Sequence, residues 1–432
     1  MSVNPPYLPG GNGTAYPDGL GGRKQQQCSG REEGAELSEP YDLVCLCHLR
    51  WDFVYQRPQH LISRFAREHR TFFIDGLAPT DGPAHVEMSK RDEHLWVATP
   101  YIPGGMPEAD VCAMIRNFLD DMMITHDIRN YVLWYYTPMA LDCTSQFLSG
   151  ARAVIYDCMD ELSLFNDGVP SLSLREAELF RAADLVFTGG QALYEAKRTF
   201  HPRVHAFPSS IDVPHFLAAR QPLEDPPDQA VIPHPRVGYV GVIDERLNLQ
   251  LLTHVADARP DWHLVMVGPV VKIDPASLPF RENIHYLGMK SYQELPTYLG
   301  GWDVAMMPFA HNDATRFISP TKTLEYLAAG KPVVSTSIRD VVRPYGEQGY
   351  VLIADTRDEF VRQVDAALVM DGAAHIRKVD ALLATTSWDT TWELMNSLID
   401  AVLAGPLPHD VPDGELMDDD DVASLVASGV AE

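Results

Sequence analysis

No stretch of this chain reaches the roughly 18 consecutive apolar residues that a bilayer-spanning helix needs. Basic charge is scarce too: 34 Lys and Arg stand against 60 Asp and Glu, a net charge of −26. That argues against nucleic acid as a partner and against docking on anionic lipid by bulk charge. Part of the excess sits at the ends. The last 28 residues hold eight acids and neither Lys nor Arg, residues 1–40 contribute −2, and the body carries −16. No compact cluster of His, Asp and Glu offers a metal site. Cysteine is sparse, at six residues. Cys45 and Cys47 share one face of a strand and read as core thiols rather than metal ligands. The N-terminus lacks a basic-then-apolar signal pattern, so the cytoplasm is the default compartment.

Length and patterning fill in what is there. At 432 residues, 46% hydrophobic and 22% charged, the chain has room for two ordinary globular domains. Residues 1–40, rich in Gly, Pro and Gln, read as a disordered leader, and 405–432 as an acidic disordered tail. Between them short apolar runs alternate with helical patterns. The first series runs from "LVCLC" at 43–47 to "VHAFP" at 204–208, with helices expected near 57–68, 108–123, 139–149, 172–182 and 190–200. A Pro/Asp-rich break covers 221–236, and alternation restarts at "VGYVG", 237–241. Further helices are expected near 248–258, 292–299, 320–329 and 357–370. Continuously apolar strands between helices imply parallel sheets covered on both faces. The expected class is therefore α/β, with two Rossmann-like doubly wound domains, 41–220 and 237–386, facing a cleft. A last helix at 387–404 could cross back to the first domain. In such sheets ligands bind beyond the carboxyl ends of the strands.

One segment there is chemically odd. "SPTKTLEYLAAGKPVVS", 319–335, has Ser319 placed as an N-cap, Pro320 as first helical residue and Gly330 as terminator. A Glu or Gln would complete a capping box in the first turn; Lys322 stands there instead. A cation at the positive end of a helix is unfavourable unless an external anion joins it. Glu325, its helical neighbour, suits a sugar hydroxyl pair such as a ribose. The alternative is a solvated Lys–Glu pair.

Other constellations lie just beyond strand ends. In "VGYVGVIDERLN", 237–248, Gly241 lets a ligand approach the backbone, and Arg246 can fork onto a diphosphate or pair with Asp244 or Glu245. No G-x-G-x-x-G fingerprint occurs there. In "IYDCMDELSLF", 155–165, Asp157 and Asp160 suit hydroxyl recognition or acid/base work, unless Asp160 simply caps the segment after it. In "HLRWDFVYQRPQHL", 48–61, His48, Arg50, Trp51 and Asp52 come after the first strand, and Arg57, Gln59 and His60 surround a helix start. These suit an acceptor, or the aromatics pack under a loop. Arg316, on the loop before Ser319, adds a second positive charge or lies in solvent.

Taken together, "WDFVYQRPQHL", "YDCMDELSLF", "DLVFTGG", "VGYVGVIDERLN" and "SPTKTLEYLAAGKPVVS" resemble a bacterial group 1, family 4-like glycosyltransferase of GT-B fold, in the teichuronic-acid and capsule-type branch found near UDP-galactopyranose mutases. The resemblance covers about 41–404. It implies transfer of a hexosyl-type sugar from a nucleotide-sugar donor, held mostly by the second domain, to a glycan or lipid-linked acceptor, held mostly by the first. It implies no metal, no cofactor beyond that co-substrate, retention of configuration, and a place in cell-envelope polysaccharide synthesis. It leaves room for peripheral work at the inner face of a membrane, for which no basic amphipathic helix speaks. Ser319, Thr321, Lys322 and the helix start match the family's diphosphate site, with Gly241, Arg246 and Arg316 beside it. Glu325 matches the second Glu of E-x7-E, on the ribose. Asp157 matches the acid of the family's His-Asp; with Asp160 and His48 it would orient sugar and acceptor hydroxyls. Two positions depart: Phe317 replaces the first Glu of E-x7-E, and Tyr156 replaces the His. The departures leave room for two rivals, a nucleotide-sugar epimerase on the same scaffold and a catalytically silent nucleotide-sugar-binding subunit.

Overall fold

Nine strands of the first half join in one sheet and six of the second half in another. The computed structural model describes residues 40–164 and 172–405. The expected leader (except Pro40) and acidic tail (except Gly405) lie outside the described residues. The first sheet contains β1 (Asp42–Leu46), β2 (Thr71–Ile74), β3 (Ala78–Thr80), β4 (His85–Asp92), β5 (Leu95–Pro103), β6 (Tyr131–Tyr135), β7 (Ala153–Cys158), β8 (Leu185–Thr188) and β9 (Val204–Ala206). Its order is β3-β5-β2-β1-β6-β7-β8-β9, with β4 paired to β5. The second contains β10 (Arg236–Val240), β11 (His263–Val267), β12 (Ile284–Gly288), β13 (Val304–Met307), β14 (Val333–Ser335) and β15 (Leu352–Ile353), in the order β12-β11-β10-β13-β14-β15. Every pair is parallel except β4 with β5. From Pro40 onward the chain is one compact unit.

Burial explains the sequence pattern. All five residues of β1, of β6 and of β10 are buried, because helices cover both faces of each sheet. One face of the first sheet packs Leu61 and Phe65 of helix Arg57–Phe65 with Trp388, Met395, Ile399 and Leu403 of helix Trp388–Leu403. The other face packs Leu119 and Met122 of helix Glu108–Thr125, Leu179 of Leu172–Ala182 and Leu193 of Gln191–Lys197.

The structure departs from the sequence pattern in four places. β3 to β5 occupy a stretch in which no element was expected. β4 alternates exposed and half-buried residues, as an edge strand covered on one face does, and a search for apolar runs passes over it. The helix expected at 139–149 is broken into short turns, Pro138–Ala140, Leu141–Thr144 and Ser145–Gly150. Within it the Thr144 hydroxyl bonds back to the Ala140 carbonyl at 2.8 Å, a local competitor of regular helix. An unexpected helix, Gly372–Leu383, begins on a glycine but is capped by Asp371, whose carboxylate accepts from the N–H groups of Ala373 and Ala374. Finally, Ser319 is not an N-cap: the helix is Lys322–Ala328 with Thr321 at its cap. Ser319 is engaged elsewhere, accepting at its carbonyl from the Ser209 hydroxyl at 2.6 Å and at its Oγ from the Ser209 N–H at 3.4 Å.

Helix Trp388–Leu403 is fixed at its start. Ser387 accepts from the Thr390 N–H at 3.0 Å, the Trp388 N–H donates to the Ile211 carbonyl at 3.1 Å, and the Trp388 ring stacks on His60 at 4.8 Å. Trp388 is 1% exposed. Truncating a buried Trp removes its transfer energy and leaves a cavity. Trp388→Ala is expected to cost about 3–5 kcal/mol of stability by urea titration; a loss below about 1 kcal/mol would show that the helix is not held by this ring.

Candidate active site

A cavity of about 90 Å³ lies between the two sheets. Its walls are segments beyond the carboxyl ends of strands: Gln56 and Arg57 after β1, Asp160 after β7, Arg246 after β10, and Ser319 to Lys322 after β13. Tyr239 of β10 and Ser209 of the connecting segment complete it.

Lys322 is the first residue of its helix. Its stem lies over Gly241, whose φ is +147°; a side chain there would collide with the Lys322 Cε. Only glycine combines that backbone angle with that approach. Burial lowers the Lys322 pKa, while Glu325 raises it. No carboxylate lies at ion-pair distance from its ammonium among the described residues. Glu325 is 8% exposed, and burial raises its pKa against the pull of Lys322 and of a hydrogen bond with Thr321.

The other charges are matched differently. Arg246 is clasped by Asp244, its Nε 3.0 and 3.1 Å from the two carboxylate oxygens and a terminal nitrogen 2.6 Å from one of them. Arg57 and Asp157 form a buried pair at 2.9 Å, and Arg57 also donates to the Phe207 carbonyl at 2.6 Å. Asp157 is 0% exposed. Its oxygens are taken by the guanidinium, so it shapes the cavity from behind through Arg57. Asp160 is desolvated, which pushes its carboxyl up to about 6, against the lowering influence of Arg246 and Arg57. His48 comes after β1 but lines neither this cavity nor the larger one beside it. Arg316 lines that larger cavity and not the first. His60 is buried and, with its pKa lowered to about 3, neutral.

The structure therefore brings together Gly241, Arg246, Ser319, Thr321, Lys322, Glu325 and Asp160, with Asp157 behind them. It sets His48 and Arg316 apart. Sequence reasoning missed Asp340, which ties the two halves of the chain together near the site. Its carboxylate accepts from the N–H groups of Gln191 and Ala192, at 2.8 and 3.0 Å, and so caps a helix of the first sheet from a segment of the second. Gly190 makes that approach feasible, since a side chain there would strike Asp340 and Ser319. No local signal marks Asp340, because its partner is distant in sequence. Tyr239 and Ser209 carried no signal either.

Residues 234–369 match the family model described as Glycosyl transferases group 1. They form a group 1 glycosyltransferase domain. Over 276 residues the chain is 25% identical to the Bacillus subtilis putative teichuronic acid biosynthesis glycosyltransferase TuaH, covering 59% of this chain and 68% of that one. Among solved structures it is similar to a sucrose-phosphate synthase from Thermosynechococcus elongatus, with a TM-score of 0.63 at 12% identity over 84% of this chain and 99% of that one. It is also similar to a UDP-forming trehalose-phosphate synthase from Burkholderia vietnamiensis (TM-score 0.60, 13% identity, 83% and 100% covered). Anabaena HepE, solved in complex with UDP and glucose, gives 0.57 at 11% identity, with 84% and 100% covered. At such identities the likeness shows the fold, and the fold is GT-B.

The raised Asp160 carboxyl makes a testable claim on stability. A carboxyl whose folded pKa, about 6, exceeds its ordinary value of 3.8 costs stability once ionised. That cost is absent below the unfolded pKa, grows as pH rises towards 6, and is complete above it. It amounts to up to about 3 kcal/mol. Asp160→Asn is expected to melt higher than the native chain at pH 7.5 and level with it near pH 4. A pH-independent difference in melting temperature would mean that Asp160 is not desolvated as described.

Proposed function

We propose that the chain is a glycosyltransferase that moves a sugar from a nucleotide-sugar donor to a glycan or lipid-linked acceptor in polysaccharide synthesis. The observation that carries this reading is the Lys322 ammonium. It is desolvated, at a helix start, over Gly241, with no ion-pair partner among the described residues. A diphosphate supplies the missing charge at the positive end of that helix. The matched family model and TuaH support sugar transfer.

The residues divide the work. Lys322, the helix-start N–H groups and the hydroxyls of Ser319 and Thr321 hold the diphosphate; Arg246, kept in place by Asp244, adds positive field. Together they stabilise the charge that grows as the bond from sugar carbon to phosphate oxygen breaks. Glu325 holds the ribose. Asp160 orients hydroxyls of the transferred sugar. The acceptor oxygen forms the new bond on the face the leaving group vacates, its proton passes to the departing phosphate, and configuration is retained. Lys322 and Arg246 take the charge-neutralising role that a divalent ion would otherwise fill. No helix among the described residues is long and apolar enough to cross a membrane, so work at the inner face of a membrane would be peripheral.

Phe317 favours the silent-subunit alternative. It stands where relatives carry a carboxylate, and it packs against the core of the first sheet. Turnover separates the two readings. The test is a melting-temperature panel of UDP-, GDP-, ADP- and dTDP-sugars, with and without EDTA, on the native chain and Lys322→Ala. A ligand at about 100 times its Kd stabilises the folded state by about 2.7 kcal/mol. One nucleotide sugar is expected to give such a shift without metal, and Lys322→Ala to abolish it. Consumption of that sugar with an acceptor extract then establishes transfer, and binding without consumption establishes the silent subunit. Equal stabilisation of native chain and variant would remove Lys322 from the donor site.

A further inference from the structure

A cavity of about 660 Å³ adjoins the first. The two share one loop: Arg316 and Phe317 line the larger, and the residues from Ile318 to Lys322 line the smaller. Its opposite wall is the helix Gln191–Lys197, through Ala192 and Glu195. The volume falls within the roughly 300–1,000 Å³ of small-molecule sites. Its position leaves it unobstructed. Phe317 and Leu193 pack on one face of the first sheet, whereas helix Trp388–Leu403 covers the other.

The charges in this cavity are unequal. Arg339 is paired with Glu195, and the exposed Asp313 also lines the cavity. Asn312 is spent on the Glu245 carbonyl, at 2.9 Å, and on the Thr315 N–H, at 3.1 Å. Arg316 has no carboxylate partner among the described residues; its guanidinium lies over the Phe317 ring, 5.2 Å from the centroid. It is an exposed forked donor, steadied by an aromatic face, in a chain whose net charge of −26 repels anions in general.

We propose that this cavity is the acceptor subsite, and that the acceptor carries an anionic group, carboxylate or phosphate, seated on Arg316. The proposal rests on the glycosyl-transfer reading and assigns Arg316 to the acceptor rather than to the donor. A forked, charge-assisted contact distinguishes an acidic sugar from its neutral counterpart by about tenfold or more.

The test is calorimetry on the full chain with glucuronate, glucose 6-phosphate and glucose, each with and without UDP, on the native protein, Arg316→Ala and Arg316→Lys. At least one acidic sugar is expected to bind the native chain about tenfold or more tighter than glucose. Arg316→Ala should bring it down to the level of glucose, and Arg316→Lys should keep part of the preference. Which acid binds identifies the group as carboxylate or phosphate. Melting temperature checks that the variants fold, and UDP titrated in the same samples reports the donor site. The proposal is overturned if neither acid binds, if glucose binds as well as both, if Arg316→Ala leaves the preference intact, or if that variant loses UDP affinity, which would return Arg316 to the donor. UDP binding without acid binding removes this proposal alone. Acid binding without UDP binding removes the donor reading and leaves an anionic-sugar site.

Discussion

A lysine ammonium drawn out of water, with no carboxylate at ion-pair distance among the described residues, is the constraint on which the rest of this site depends. Desolvation disfavours the charged form, and the positive end of a helix disfavours it again. Native interiors tolerate such groups where function requires them. Here the surroundings hold Lys322 in place. Gly241 yields the space its stem occupies, and Thr321 rather than Ser319 caps the helix, which frees Ser319 to bond the connecting segment at Ser209. The first residue of a seven-residue helix thus lines the cavity with its cationic side chain.

The other charges show why Lys322 stands out. Arg57 and Asp157 neutralise one another behind the cavity, and Asp244 holds Arg246 in place at its edge. Removing one partner of such a pair leaves an uncompensated buried charge, so each pair keeps its part of the wall in place. Lys322 has no carboxylate at ion-pair distance among the described residues, and burial works on it and on the carboxyls of Asp160 and Glu325 in opposite directions. It lowers the lysine pKa and raises the aspartate pKa.

How much of this could be read from sequence depended on how far apart the partners lie. Lys322, Glu325 and the Gly330 terminator share one helix, and cap chemistry exposes an anomaly over three or four residues. Arg246 and Asp244 are two residues apart, so their pairing stood among the alternatives. By contrast Arg57 and Asp157 are separated by 100 residues, Ser209 and Ser319 by 110, and Asp340 and Gln191 by 149. The first arises inside the first domain and the other two where the halves of the chain meet, and no local pattern encodes any of them. The strands were legible wherever both faces are covered, as in β1, β6 and β10. They were not at β4, whose polar face looks like loop, nor at the helix Gly372–Leu383, whose glycine start conceals the Asp371 cap. Arg316 was legible as a cation near the site, but which side of its loop it faces is a tertiary fact.

The same tertiary facts make the cleft unequal on its two sides. One side is aromatic: Tyr292 stacks on Tyr55 at 4.5 Å and on His215 at 4.1 Å, and Trp388 stacks on His60. The other side is polar: Asp340 on the Gln191 helix, Ser209 on Ser319, and an exposed Arg339–Glu195 pair. Exposed ion pairs contribute about 0–1 kcal/mol, whereas stacked, buried rings lose their area as well as their geometry when parted. A cavity of about 90 Å³ is smaller than the roughly 300–1,000 Å³ of small-molecule sites, so a ligand of that size needs its walls to separate. The polar side has less to lose, and the water that enters there can satisfy the groups released. It is also the side on which the larger cavity opens. The segment from Arg316 to Lys322 lines both cavities, so a single segment sets the shape of both at once.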